Sequence, residues 1–163
     1  MSTRTGGAVE QAVPAVAACA DLALRRARLP AAVEATARAA LARPGHVLGA
    51  PSVPRWARLF LTWIDALTGA PLTPYFPGAV ACDCIAAGYD LLDQVYDSPP
   101  EERDNMPADT LPAALSLLML AQELLASLAT GGRRLMADDE QRGALPLLDV
   151  RTAGRHSADA AAR

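Results

Sequence analysis

The stretch DLLDQVYD, Asp90–Asp97, sets three aspartates among leucine, valine, glutamine and tyrosine. Extended back through AVACDCIAAGYDLLDQVYD, residues 79–97, it becomes a run of small and apolar residues that carries a fourth acid, Asp83. On a helix turning about 100° per residue, Asp83, Asp90 and Asp97 recur every seven positions and drift by only about 20° each time. Asp93 is three residues after Asp90 and four before Asp97, so the four carboxylates share an arc of about 80°, with Ile85, Tyr89, Leu92, Val95 and Tyr96 off it. Like charges at these spacings repel by a few tenths of a kcal/mol per pair, and no arginine intervenes. Two readings stay open. One is the solvated face of a surface helix. The other is a cation site, because oxygen-only ligands suit Mg²⁺, which keeps several waters and binds through one or two carboxylates plus substrate phosphates.

Outward from that helix, alanine, leucine and arginine dominate, β-branched residues are sparse, and the 13 prolines fall between apolar runs. The pattern predicts an all-α chain with helices over 8–27, 30–42, 54–68, 76–97, 111–129 and 135–161, the last broken near Pro146. The breaks RARLP, RPGHVLGAPSVP, TGAPLTPYFPG and DSPPEERDNMPAD are rich in Pro and Gly, as turns require. A chain of 163 residues, 52% hydrophobic, is long enough for one domain, taken as 1–163.

Charge and composition exclude several functions. With 18 acidic and 15 basic residues the net charge is −3, so a nucleic-acid partner is not expected. All the basic residues are arginine, which removes Schiff-base and P-loop lysine chemistry. Cys19, Cys82 and Cys84 read as free thiols in a reducing compartment. MSTRTGGAVEQ lacks a charged region followed by an apolar run, so a cytoplasmic location is expected. LPAALSLLMLAQELLASLAT, residues 111–130, is long enough to span a membrane, but Gln122 and Glu123 interrupt it, and it reads as a core helix. His46 and His156 lie near loops without partners at ligand spacing and read as surface residues. Asp138, Asp139 and Glu140 follow Gly131 and Gly132 and suit a helix start.

The segment 79–97 resembles the first aspartate-rich helix of the isoprenyl diphosphate synthases, the trans-prenyltransferase or polyprenyl synthetase family, which ends in DDxxD. Here the match is DQVYD: Asp93 and Asp97 align with the outer aspartates and Gln94 stands in the middle place. PRWARLFLTWIDALTGA resembles the helix after the family's GKRxRP stretch, with Pro54 near that position. PAALSLLMLAQELLASL resembles the long apolar helix beside the prenyl pocket, and TAGRHSADA the segment written GQxxD, with Arg155 in the Gln place and Asp159 near the acid.

The resemblance implies a helical bundle of the isoprenoid synthase type, truncated to about its first half. It implies Mg²⁺ held by Asp93 and Asp97, a diphosphate steadied by Arg55 and Arg58, Asp83 and Asp90 a turn or more deeper, and Tyr89 as a chain-length block near Asp90. The implied chemistry is transfer of an allylic prenyl group from its diphosphate to isopentenyl diphosphate. A homo- or hetero-oligomer would supply the missing half, with its second aspartate motif. The other class of function is a non-catalytic helical partner, a regulatory subunit or a degenerate prenyltransferase fragment. In either case a half-domain exposes apolar helix faces.

Overall fold

The computed structural model describes residues 5–49 and 54–129. It is all-helical, without a strand among the described residues. Helix α1 spans Thr5–Ala27, α2 Ala31–Leu41 and α3 Arg55–Thr68. A 3₁₀ turn, Thr73–Tyr75, runs directly into α4, Phe76–Asp97, and is followed by the short α5, Pro100–Arg103, and by α6, Thr110–Ala129.

Each long helix buries one stripe. Val9, Ala12, Val16, Ala20, Ala23 and Leu24 recur at spacings of three and four and seat α1, even though Pro14 removes one interior hydrogen bond. Val33, Ala37, Ala40 and Leu41 do the same for α2, and Ala57 and Leu61 for α3. Helix α3 stops at Gly69, whose φ of +57° is the left-handed cap that glycine adopts freely.

The centre of the molecule is α4. It packs most extensively on α6 and also meets α1, α2 and α3. That crowding demands small side chains: Gly78, Ala79, Val80, Ala81, Cys84, Ala87 and Gly88 are all buried, as are Ala113, Ala114, Leu117 and Ala121 of α6. A Cβ on Gly88 would lie 3.1 Å from Leu118 and 3.2 Å from the Ala114 carbonyl, and one on Gly78 would lie 2.6 Å from both Leu128 and Phe60. The Ala/Gly composition therefore sets the distance between these helices.

The outer faces are unusually apolar. Trp56, Leu59, Trp63 and Leu67 stand out from α3, and Leu111, Leu115, Met119 and Leu125 from α6. Helix α6 is thus half core and half surface, where the sequence reading expects a core helix. By length and composition, Gly7–Ala27 and Thr110–Leu128 are long and apolar enough to cross a membrane, and a third of each window is buried in the fold. Cys19, Cys82 and Cys84 are free, and burial pushes the Cys84 thiol up to about 12 and Cys19 up to about 11.

Candidate functional site

The segment after α2 folds back on itself and covers the acidic face of α4. Within it the His46 N–H donates to the Arg43 carbonyl (3.1 Å), Leu48 to Leu41 (2.9 Å) and Gly49 to His46 (3.0 Å). The Arg55 N–H at the start of α3 donates to the Gly45 carbonyl (2.8 Å), tying two segments together. Gly45 has φ +93°, and the Arg55 side chain occupies the space beside it. Gly49 is equally constrained, since a Cβ there would fall 2.1 Å from the Arg43 carbonyl oxygen.

This turn buries His46, which is 7% exposed. The sequence reading places His46 on the surface; the correction follows from the backbone bonds above, which press the ring onto α4. Its Nε2 lies 3.2 Å from Asp90 Oδ2, and its Nδ1 lies 3.8 Å from Asp83 Oδ1, beyond hydrogen-bond reach. Asp83 is fully buried, and neither its oxygens nor His46 Nδ1 complete a hydrogen bond. Burial pushes the Asp83 carboxyl up to about 6, with His46 and the nearby backbone N–H groups of Val47 and Ala57 pulling the other way. An ionised carboxylate in that place is costly, so this aspartate takes up its proton at a pH where an exposed one is fully charged. His46 thus stands between the buried Asp83 and the half-exposed Asp90 and touches the latter.

Past Asp90 the stripe emerges. Asp93 and Asp97 are exposed and line an open cleft of about 430 Å³ together with Asp90, Gln94, Glu102 and Arg43. Arg43 donates to the Gln94 side-chain oxygen (3.3 Å), and the Gln94 amide donates to the Asp90 carbonyl (3.0 Å). Gln94 is thereby fixed as a bridge between the arginine and the aspartate helix. The cleft presents carboxylates and one guanidinium to the same space, a combination that suits a cation bound together with phosphate oxygens.

The other expected residues lie elsewhere. Arg55 and Arg58 line a separate groove of about 320 Å³ with Leu59 and Thr62 on α3, and Arg58 pairs with Glu10 at 3.0 Å. The arginine brought to the aspartates is Arg43, which sequence reasoning missed; it lies 51 residues from Gln94, and only its place in the RPGH turn marks it. Tyr89 and Tyr96 are 56% and 70% exposed, so Tyr89 stands on the outer surface and not among the residues lining the cleft. Asp138, Asp139, Glu140, Arg155, His156 and Asp159 lie outside the described residues.

Among the described residues no three His, Cys, Asp or Glu side chains are gathered closely enough to hold a metal ion by themselves. No protein-family model, curated protein or solved structure matches this chain.

Proposed function

We propose that the cleft at the C-terminal end of α4 binds a Mg²⁺-complexed diphosphate, and that the chain is a polyprenyl synthetase-like protein of the isoprenoid synthase type. In this reading Asp93 and Asp97 hold Mg²⁺, the ligand being an allylic diphosphate whose prenyl group passes to isopentenyl diphosphate, with a partner chain needed to complete the site. The observation that carries the reading is the convergence of Asp90, Asp93 and Asp97 with Arg43 on one opening. The donor set fits: Mg²⁺ needs only one or two carboxylates when phosphate oxygens and water complete its shell, so a site without a three-residue cluster is compatible with it. Bound there, Mg²⁺ would neutralise charge developing on the leaving diphosphate. Arg43 supplies a guanidinium fork for phosphate oxygens in the same cleft, and Gln94 accepts a hydrogen bond from it. His46 fixes the Asp90 carboxylate at the inner edge of the cleft.

The test is calorimetric titration of a short allylic diphosphate into the full chain with and without Mg²⁺, followed by mass-spectrometric search for a prenyl product when isopentenyl diphosphate is added. Mg²⁺-dependent binding that weakens at least about tenfold in Asp93→Ala is expected. Binding indifferent to Mg²⁺ or to that substitution overturns the reading. Binding without product supports the requirement for a partner. The second reading, a non-catalytic helical partner, is favoured by the exposed apolar face of α3, and it gains if no diphosphate binds at all.

A further inference from the structure

Beneath the turn at residues 42–49 two buried polar groups face each other without a completed hydrogen bond. His46 is 7% exposed and Asp83 fully buried, and neither His46 Nδ1 nor either Asp83 oxygen finds a partner. The other ring nitrogen, Nε2, lies 3.2 Å from Asp90 Oδ2, so one imidazole stands between two carboxylates. A neutral imidazole carries a single N–H and one lone pair. With both aspartates ionised it serves one of them and turns its lone pair toward the other, whichever tautomer it adopts. One further proton satisfies both sides. Either Asp83 is protonated and donates to Nδ1 while Nε2–H donates to Asp90, or the ring is an imidazolium that donates to both. The 3.8 Å from Nδ1 to Asp83 Oδ1 exceeds a hydrogen bond by less than about 1 Å, which a small rotation of either side chain closes.

We infer that a proton shared by Asp83 and His46 latches the turn at 42–49 onto α4 and makes it a pH-sensitive clasp. The other charges around the turn do not relieve the orphaned atoms. Arg43, in the turn itself, is engaged with Gln94, and the Arg55 side chain from α3 lies against Gly45. Glu10 of α1 pairs with Arg58, Asp21 and Glu34 pair with Arg38, and Glu123 of α6 is exposed. Cys82 and Cys84 flank Asp83 on α4 as neutral thiols, both raised by burial. Burial also raises Asp83 to about 6, which places release of the proton there. Below that pH the clasp is bridged at both ends; above it one carboxylate faces a lone pair and the turn loosens. Arg43 belongs to the same turn, and its carbonyl accepts the His46 N–H, so the clasp also governs how firmly the guanidinium of the cleft is held. That consequence for a ligand rests on the reading of the cleft as a diphosphate site; the clasp itself does not.

Nitrogen-15 spectra of the imidazole rings and amide hydrogen exchange on the full chain, from pH 5 to pH 8, test this. The chain has two histidines, and His46→Gln assigns the ring signals. Protection of the Leu48 and Gly49 amides, corrected for intrinsic rates, is expected to fall about tenfold over that interval, in step with a change in the His46 ring signals. Replacing either carboxylate by its amide removes the need for the extra proton, because an Asn side chain donates to the lone pair. Asp83→Asn should therefore hold His46 as the Nε2–H tautomer and Asp90→Asn as the Nδ1–H tautomer, each with protection that no longer depends on pH. An Asp90→Asn chain that keeps the full pH dependence would assign the proton to burial of Asp83 alone and overturn the inference. So would level protection and unchanged ring signals in the wild-type chain. Inorganic pyrophosphate titrated with Mg²⁺ reads the consequence at the cleft: the ratio of wild-type to Asp83→Asn affinity should be several-fold lower at pH 8 than at pH 5. Pyrophosphate that binds at neither pH counts against the diphosphate reading, while exchange and ring signals decide the clasp.

Discussion

In the first half of α4, Asp83 lies fully buried beneath the turn at residues 42–49, whereas two and four turns further along the same face Asp90 and Asp97 meet solvent. Residue type and helix face are shared; what differs is the covering. Around Asp83 the helix is packed on α6, α3 and α1 through glycine and alanine, and its carboxyl is raised to about 6. Around Asp93 and Asp97, by contrast, Arg43 and Glu102 help line an open cleft. The comparison separates two uses of one spacing: aspartate as a proton holder in the core and aspartate as a charge offered to a ligand. His46, touching Asp90 and facing Asp83, joins them.

The contrast can be broken most severely by filling the buried half. Gly78→Val puts atoms where Leu128 and Phe60 already stand, and a loss of about 3 kcal/mol or more, or failure to fold, is expected in urea unfolding. Unfolding at a wild-type midpoint would show that α4 is not held as tightly as the packing implies.

Asp83→Asn sharpens the comparison through pH. The folded carboxyl, raised to about 6, binds its proton more tightly than the unfolded one at about 4, so its contribution is complete below pH 4 and is lost as pH rises through 6. The wild-type melting temperature should fall relative to Asp83→Asn over that interval, leaving the variant more stable at pH 8 by roughly 1–3 kcal/mol. Parallel melting profiles from pH 4 to pH 8 would remove Asp83 as the source.

His46→Ala deletes the link between the halves. It leaves a cavity beside Asp83 and frees Asp90, and a loss of about 1–2 kcal/mol is expected by thermal melting. Smallest is Asp97→Ala: an exposed charge with like-charged neighbours should change stability by less than about 0.5 kcal/mol in either direction, while diphosphate binding falls. A large loss of stability there would make Asp97 structural.

Much of this architecture was legible. The expected helix 76–97 coincides with α4, and 54–68, 30–42 and 111–129 differ from α3, α2 and α6 by one residue at the ends, because Pro- and Gly-rich turns mark their limits. The 3₁₀ turn at 73–75 and α5 were hidden, since each is a single turn built on proline that reads as a break. Within the site, Asp90, Asp93 and Asp97 could be grouped from periodicity. Arg43 and His46 could not, because their contacts span 51 and 44 residues and follow from a turn whose backbone bonds have no signature in spacing.

That the chain is helical and that four aspartates share one face can be read from residue order alone, because helix periodicity is a property of neighbours along the chain. Which of those aspartates is buried, which arginine and histidine stand beside them, and the exposure of Trp56, Leu59, Trp63 and Leu67 come from the packed fold instead. Burial and partnership depend on which elements reach a given face, and that is fixed by packing across the whole fold and not by any local pattern.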